Sequence, residues 1–143
     1  MNDSTPKQST VGWNLLFAAW VVATGATLAS LFLSEVVGIP VCTLCWYQRI
    51  ALYPQVVILG LALFPYDPKA LRPAAVLTGV GGAIALFQLL LVAGIIPESA
   101  QPCAQGIPCG KTFFSLFGFL NIPMMSLLTF TLIGFLLYFV WRK

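Results

Sequence analysis

The chain has 143 residues, of which 59% are hydrophobic and only 8% are charged. So few charged side chains cannot surround a folded core with a water-compatible surface, and this excludes a soluble globular protein. The net charge of +3 is too small to indicate nucleic-acid binding, and the sequence lacks histidine, the commonest general base and metal ligand. The length allows one domain, residues 1–143.

Four long apolar segments follow one another along the chain, separated by short polar connections. They cover residues 12–34, 46–64, 74–96 and 122–141. Because about 20 apolar residues suffice for a helix to cross a bilayer, the sequence predicts an all-α membrane protein, a four-helix transmembrane bundle. The first segment has an alternative interpretation as a secretory signal peptide, but its 23 residues exceed the roughly 7–15 of a signal's apolar region.

Positive charges are distributed unevenly among the connections. The two termini and the middle loop together hold Lys7, Lys69, Arg72, Arg142 and Lys143. The other two connections, which contain the cysteines, hold only Lys111. Cytoplasmic loops carry the excess of Lys and Arg, so both termini are predicted in the cytoplasm and both cysteine loops outside it. Disulfides form and persist on that side of a membrane.

The stretch Cys42-Thr-Leu-Cys45-Trp-Tyr-Gln-Arg49 joins a polar loop to the second apolar segment. If this stretch is helical, Arg49 lies one turn beyond Cys45 on the same face. A helix N-terminus and a nearby guanidinium both favour the thiolate, which is the attacking species in disulfide exchange. Arg49 can also be interpreted as a residue whose long side chain merely reaches the membrane surface. Its outer position, where cations are disfavoured, makes a functional role the better interpretation.

A second pair, Cys103 and Cys109, lies in the second outer loop, and the two pairs allow three interpretations. As structural disulfides, the two small rings would contribute only about 1.9 and about 2.4 kcal/mol. As a metal site with four thiolates, the second pair has a wider spacing than zinc sites use. The interpretation that we favour is a redox relay, in which one pair passes electrons to the other.

A relay needs a terminal electron acceptor, and the position of Cys45 at the membrane surface favours one that resides in lipid. A quinone meets this requirement, and Arg49 would stabilise negative charge that develops on its oxygen. Gln88 is the only strongly polar side chain of the third segment. On the residues alone it is interpreted either as a quinone contact or as an interhelical hydrogen bond, and the second is favoured.

These features together resemble the DsbB family of membrane thiol:quinone oxidoreductases, and most of all its short BdbC branch. The resemblance rests on the Cys42–Arg49 stretch, the four spans, the second cysteine pair and the run Phe117-Gly-Phe-Leu-Asn-Ile-Pro123 before the last span. It covers nearly the whole chain. It implies a protein of the bacterial cell membrane that crosses the membrane several times.

The resemblance also implies a reaction and its participants. A secreted or membrane-anchored thioredoxin-fold thiol oxidase of the DsbA or BdbD type would deliver electrons to Cys103 and Cys109, with Cys103 forming the mixed disulfide. Electrons would then pass to Cys42 and Cys45, and from Cys45 to menaquinone or ubiquinone. The residues predicted to contact the quinone are Arg49, Gln88, Ile122 and Pro123. No metal and no nucleic acid are implied.

The sequence departs from the longer members of the family in two ways. Those members have a wider second cysteine pair and a histidine on the third helix near the quinone, whereas this chain has a close pair and no histidine. Two other functions stay open at this point. One is a reductase resembling quinone or vitamin K epoxide reductases, and the other is a structural membrane subunit whose disulfides hold two loops.

Overall fold

The computed structural model describes residues 6–38, 43–64, 68–95, 115–116 and 120–142. Within these residues the chain forms four α-helices: α1 (Pro6–Glu35), α2 (Thr43–Leu63), α3 (Arg72–Val92) and α4 (Ile122–Arg142). A short 3-10 helix, Pro68–Leu71, precedes α3. Two short strands, β1 (Ser115–Leu116) and β2 (Leu120–Asn121), pair in antiparallel fashion directly before α4.

The helices form a ring in which each packs mainly against two neighbours. Helix α2 packs between α1 and α3, and α4 packs between α3 and α1, which closes the ring. Leu16, Leu59 and Ile133, from three different helices, are fully buried at its centre. Large apolar side chains such as Leu61 and Phe135 remain exposed on the outside, as expected for a bundle surrounded by lipid. The predicted all-α membrane bundle is confirmed.

Within the described residues, three helices are long and apolar enough to cross a membrane. They are Thr10–Glu35 of α1, Arg72–Val92 and Pro123–Arg142 of α4. Helix α2 has the same 21-residue length as α3, but it includes Gln48, Arg49 and Gln55. The two glutamines are buried against the other helices, so that the polar side chains of α2 turn inward.

Small residues allow close helix packing at some positions of α1 and α3. Ala19 and Ala23 of α1 are fully buried. A Cβ atom on Gly81 of α3 would lie 2.4 Å from the ring of Phe130 on α4, so only glycine lets this ring approach. A Cβ atom on Gly79, in contrast, would meet nothing within 4 Å. Gly81 therefore has a packing role between α3 and α4 that Gly79 lacks.

Helix α3 ends at Val92, four residues before the end of the predicted span. Gly94 has a φ of 80°, in the left-handed region that favours glycine. The Gly94 amide donates to the Leu91 carbonyl at 3.2 Å, and the Ile95 amide donates to the Leu90 carbonyl at 3.1 Å. These two bonds form a Schellman motif, which terminates the helix although the sequence stays apolar up to residue 96.

Candidate active site

Cys45 and Arg49 lie in the first two turns of α2, on the face predicted from their spacing. Cys45 is half-buried, and so is Arg49. The guanidinium group of Arg49 is fixed to α1: its Nε donates to Ser30 Oγ at 2.9 Å and its Nη2 donates to the Ser30 carbonyl at 3.0 Å. Its Cζ also lies 5.4 Å from the ring centroid of Trp46. The cation therefore has a fixed position beside the start of α2.

A cavity of about 160 Å³ opens beside these two residues, between α1, α2 and α4. Its lining is mostly apolar and includes Leu33, Leu52, Met125 and Phe130. Polar lining groups come from all three helices: Ser30 and Ser34, then Cys45, Gln48 and Arg49, then Ser126 and Thr129. Among the described residues, Arg49 is the only charged side chain in this lining, and in an apolar pocket its charge is weakly screened.

Two buried glutamines form a hydrogen-bonded pair near Cys45, and one of them contacts its sulfur. Gln88, on α3, places its Nε2 at 3.5 Å and its Oε1 at 3.8 Å from Cys45 Sγ. Gln48, one turn beyond Cys45 on α2, donates from its Nε2 to Gln88 Oε1 at 2.6 Å. Both amides are almost fully buried, with 4% of Gln88 and 6% of Gln48 exposed. The interhelical hydrogen bond expected of Gln88 is therefore present, with Gln48 as its partner, and Gln88 itself contacts the sulfur.

The structure brings some of the predicted site residues together. Cys45 and Arg49 share the cavity, and Gln88 contacts the sulfur without being part of the cavity lining. Pro123 is buried in the first turn of α4, and its carbonyl accepts a hydrogen bond at 2.9 Å from Ser126, which lines the cavity. Ile122 begins α4.

The remaining predicted residues lie outside the part that the structure describes. This applies to Cys42, Cys103 and Cys109, and also to the side chain of Ile122. In the described part of the chain, no group of three or more His, Cys, Asp or Glu residues is placed to hold a metal ion.

Two residues of the site were not among those predicted from the sequence. Gln48 follows Cys45 by three residues, and this spacing places both on one helix face. It would have indicated that Gln48 belongs to the site. Ser30 is one of several small residues in the first apolar segment, and nothing in the sequence connects it with Arg49. Its contact with Arg49 depends on how α1 is rotated against α2, and no pattern in an apolar segment reports that rotation.

Comparison with known proteins places the chain among proteins of disulfide formation. The family described as "Disulfide bond formation protein DsbB" matches residues 11–140. A "Probable disulfide formation protein" of Metapseudomonas resinovorans is 41% identical over 139 residues, which make up 96% of this chain and 96% of that protein. "Disulfide bond formation protein C" of Bacillus subtilis (strain 168) is 40% identical over 120 residues, 82% of this chain and 86% of that protein. No solved structure gives a significant match.

The family match extends through all four helices, from the second turn of α1 to the last turn of α4. It includes the cavity and the Cys45–Arg49 face described above. It agrees with the apolar exterior of the bundle, which indicates a membrane protein that crosses the bilayer several times. The family predicted from the cysteine motif is thereby confirmed. The chain belongs to the DsbB family of disulfide bond formation proteins, and is a membrane oxidoreductase of disulfide formation.

Proposed function

We propose that this protein is a thiol:quinone oxidoreductase that reoxidises a thioredoxin-fold thiol oxidase and thereby supports disulfide formation in exported proteins. The observation that carries the proposal is that Cys45 and Arg49 line the same apolar cavity. A redox-active sulfur beside a fixed cation in an apolar pocket suits the reduction of a lipid-soluble ring compound. A structural subunit with stapling disulfides would have no need of such a pocket.

In the proposed route, electrons enter through the outer loop. The dithiol of the thiol oxidase reduces the disulfide of Cys103 and Cys109, with Cys103 forming the mixed disulfide. The resulting dithiol then reduces the disulfide of Cys42 and Cys45. Each exchange breaks one S–S bond and forms another by thiolate attack, so that the thiol oxidase leaves as a disulfide. One dithiol gives up two electrons and two protons over the whole route.

The cavity fits a quinone ring. Cavities of about 150 Å³ admit a benzene ring, and the apolar lining from Leu33, Leu52 and Met125 would hold such a ring. When bound, the quinone would supply a two-electron, two-proton acceptor, which balances the two electrons and two protons of one dithiol. Arg49 would place positive charge where oxygen gains negative charge. That quinone is menaquinone or ubiquinone stays a prediction, and so do quinone contacts by Gln88, Ile122 and Pro123.

The sidedness of the protein is part of this proposal. The positive residues of the sequence favour cytoplasmic termini and outer cysteine loops in the membrane of a bacterial cell. This orientation would present Cys103 and Cys109 to a thiol oxidase of the DsbA or BdbD type outside the cytoplasm. It would also place both cysteine pairs in the compartment where exported proteins form disulfides.

The proposal is tested by replacing the sulfur at the cavity. Purified protein, a reduced thioredoxin-fold thiol oxidase and a short-chain quinone are mixed, and quinone reduction is followed by its absorbance. We expect the wild-type protein to reduce quinone and Cys45→Ser to show only the background rate, because serine cannot take part in thiol exchange. Thr131→Ala, which alters an exposed hydroxyl of α4 outside the cavity lining, should retain activity. An active Cys45→Ser protein, or an inactive wild type, would contradict the proposal.

A further inference from the structure

We propose that the Gln48–Gln88 amide pair activates the sulfur of Cys45 from the side facing α3. In this inference Gln88 donates a hydrogen bond to the sulfur, and Gln48 is the positioning residue that fixes how the Gln88 amide is turned. The expected effect of the amide pair on turnover rests on the proposed function, whereas its expected effect on the reactivity of Cys45 does not. The predicted quinone contact of Gln88 is the alternative to this role at the sulfur, and the second test below distinguishes the two.

The geometry of the pair determines which group faces the sulfur. Gln88 Oε1 accepts the short 2.6 Å bond from Gln48 Nε2, and Nε2 is the nearer of the two Gln88 amide atoms to Cys45 Sγ, at 3.5 Å against 3.8 Å for Oε1. Turning the Gln88 amide alone would bring two NH₂ groups together at the Gln48 contact. Turning both amides would place a carbonyl oxygen in the nearer position, where it would repel a thiolate. When Cys45 is a thiolate, the observed arrangement is therefore the one that gives its charge a donor.

Burial increases the effect of this donor. Gln88 is 4% exposed and Gln48 is 6% exposed, so water does not compete for the hydrogen bonds between them. A hydrogen bond to a charged partner is stronger than one between neutral groups, and it is stronger still where the surroundings are apolar. Arg49, the charged group that lines the cavity in the described part of the chain, has two of its donors on Ser30. The amide pair supplies a second means of stabilising the thiolate, from another helix.

The chain provides a matched control for this pair. Gln55 lies seven residues after Gln48, on the same face of α2, and is fully buried. Its Oε1 accepts a hydrogen bond at 3.2 Å from Thr78 of α3, so this glutamine also joins α2 to α3. Gln55→Leu removes a buried amide and an interhelical bond, as Gln48→Leu and Gln88→Leu do, but away from the sulfur. Any general loosening of the α2–α3 interface should appear in all three variants.

The first test measures the reactivity of Cys45 itself. Full-length protein with Cys42, Cys103 and Cys109 replaced by serine is reacted with a small alkylating reagent over a range of pH. Near neutral pH we expect Gln88→Leu to react about tenfold more slowly, because the thiolate loses a charge-assisted hydrogen bond. Gln88→Glu, which keeps the shape and the acceptor for Gln48, should be at least as slow. Gln48→Leu should be slowed less, and Gln55→Leu should match the parent protein.

The pH dependence distinguishes activation from access. If the amide pair acts on ionisation, the slower reaction of Gln88→Leu disappears in strongly alkaline buffer, where every Cys45 is a thiolate and a thiolate without the hydrogen bond is at least as nucleophilic as one with it. A slower rate that persists there, or a Gln88→Leu rate equal to that of Gln55→Leu at neutral pH, overturns the inference.

The second test separates this inference from the proposed function. In the quinone assay, Gln88→Leu is expected to lower kcat and leave the KM for quinone unchanged, because Gln88 is not part of the cavity lining. A raised KM together with normal alkylation would make Gln88 a quinone contact and would overturn the inference. If wild-type protein fails to reduce quinone, the proposed function fails, while the alkylation result still decides the role of the amide pair.

Discussion

A single residue of α1 holds the cation of the site. Ser30 accepts from Arg49 twice, once through its hydroxyl and once through its backbone carbonyl. The planar guanidinium suits such a two-point contact, because its donors have fixed directions. Stacking on Trp46 restricts the group from a further side. The position of the positive charge therefore depends on α1 as much as on α2, which carries it.

Removing the Ser30 hydroxyl is expected to weaken quinone use. Ser30→Ala keeps the backbone acceptor but loses the 2.9 Å bond to Arg49 Nε, so that the guanidinium is less well fixed. We expect the KM for quinone to rise about threefold to tenfold, less than the full value of a hydrogen bond to a charged group because the backbone acceptor remains, and Arg49→Ala to raise it further.

Ser34→Ala is the control for this prediction. Ser34 also lies on α1 and lines the cavity, but its hydroxyl bonds the Leu31 carbonyl at 3.2 Å. Steady-state quinone reduction in detergent measures all three variants. Equal KM values for Ser30→Ala and Ser34→Ala would show that the Ser30 hydroxyl does not act through Arg49.

At the level of helices, the packing of α3 on α4 shapes the cavity. Phe130 of α4 lines the cavity and lies over Gly81 of α3, where no side chain fits. The ring is 2% exposed, so it has little room to move outward. Because Gly81 has no side chain, the Phe130 ring can pack against α3 and leave the space between α1, α2 and α4 open.

Gly81→Ala is expected to reduce the cavity. Its Cβ atom would lie 2.4 Å from the Phe130 ring, which must then shift. Such overpacking costs roughly 1–3 kcal/mol, so we expect a lower melting temperature in detergent as well as a raised KM for quinone. Adding Phe130→Leu should restore part of both losses, since a smaller side chain fits beside the new methyl group.

Gly79→Ala is the matched control on the same helix. Its Cβ atom would meet nothing within 4 Å, so the variant should keep the parent KM and melting temperature. If Gly81→Ala behaves like Gly79→Ala, the contact between Gly81 and Phe130 does not determine the cavity.

The sequence predicted the parts of this fold that depend on local pattern. Apolar length predicted four helices, and helical spacing placed Arg49 on the same face as Cys45. The Gly94 stop was readable in principle, since glycine after an apolar run is a common C-terminal signal. The contacts of Gln88 with Gln48 and of Arg49 with Ser30 depend on which helix faces meet. The apolar residues of α1 are distributed around the whole helix, so its sequence has no polar face from which its rotation against α2 could be inferred.

The whole molecule is predicted to lie in the membrane with both termini in the cytoplasm and both cysteine loops outside it. In intact cells, after mild reduction, a membrane-impermeant maleimide is expected to label Cys103 and Cys109. In a cysteine-free background, Ala70→Cys in the middle loop should be labelled only after the cells are opened. The reason is the excess of Lys and Arg at the termini and in the middle loop. Labelling of Ala70→Cys in intact cells would mean the opposite orientation and would remove the proposed contact with an external thiol oxidase.

Helix α2 carries polar groups of the candidate active site and must also be inserted into the membrane, and the first property opposes the second. Cys45, Arg49 and two buried glutamines lie on it, and these polar groups make it less suited than its neighbours to enter a membrane alone. Gln48 and Gln55 each have a hydrogen-bond partner on α3, and Arg49 has its partners on α1, so the polarity of α2 is fully compensated only once both neighbours are beside it. During biogenesis, α2 would therefore be stably inserted only together with the helices on either side of it. Insertion of this protein and assembly of its catalytic centre would then be a single event.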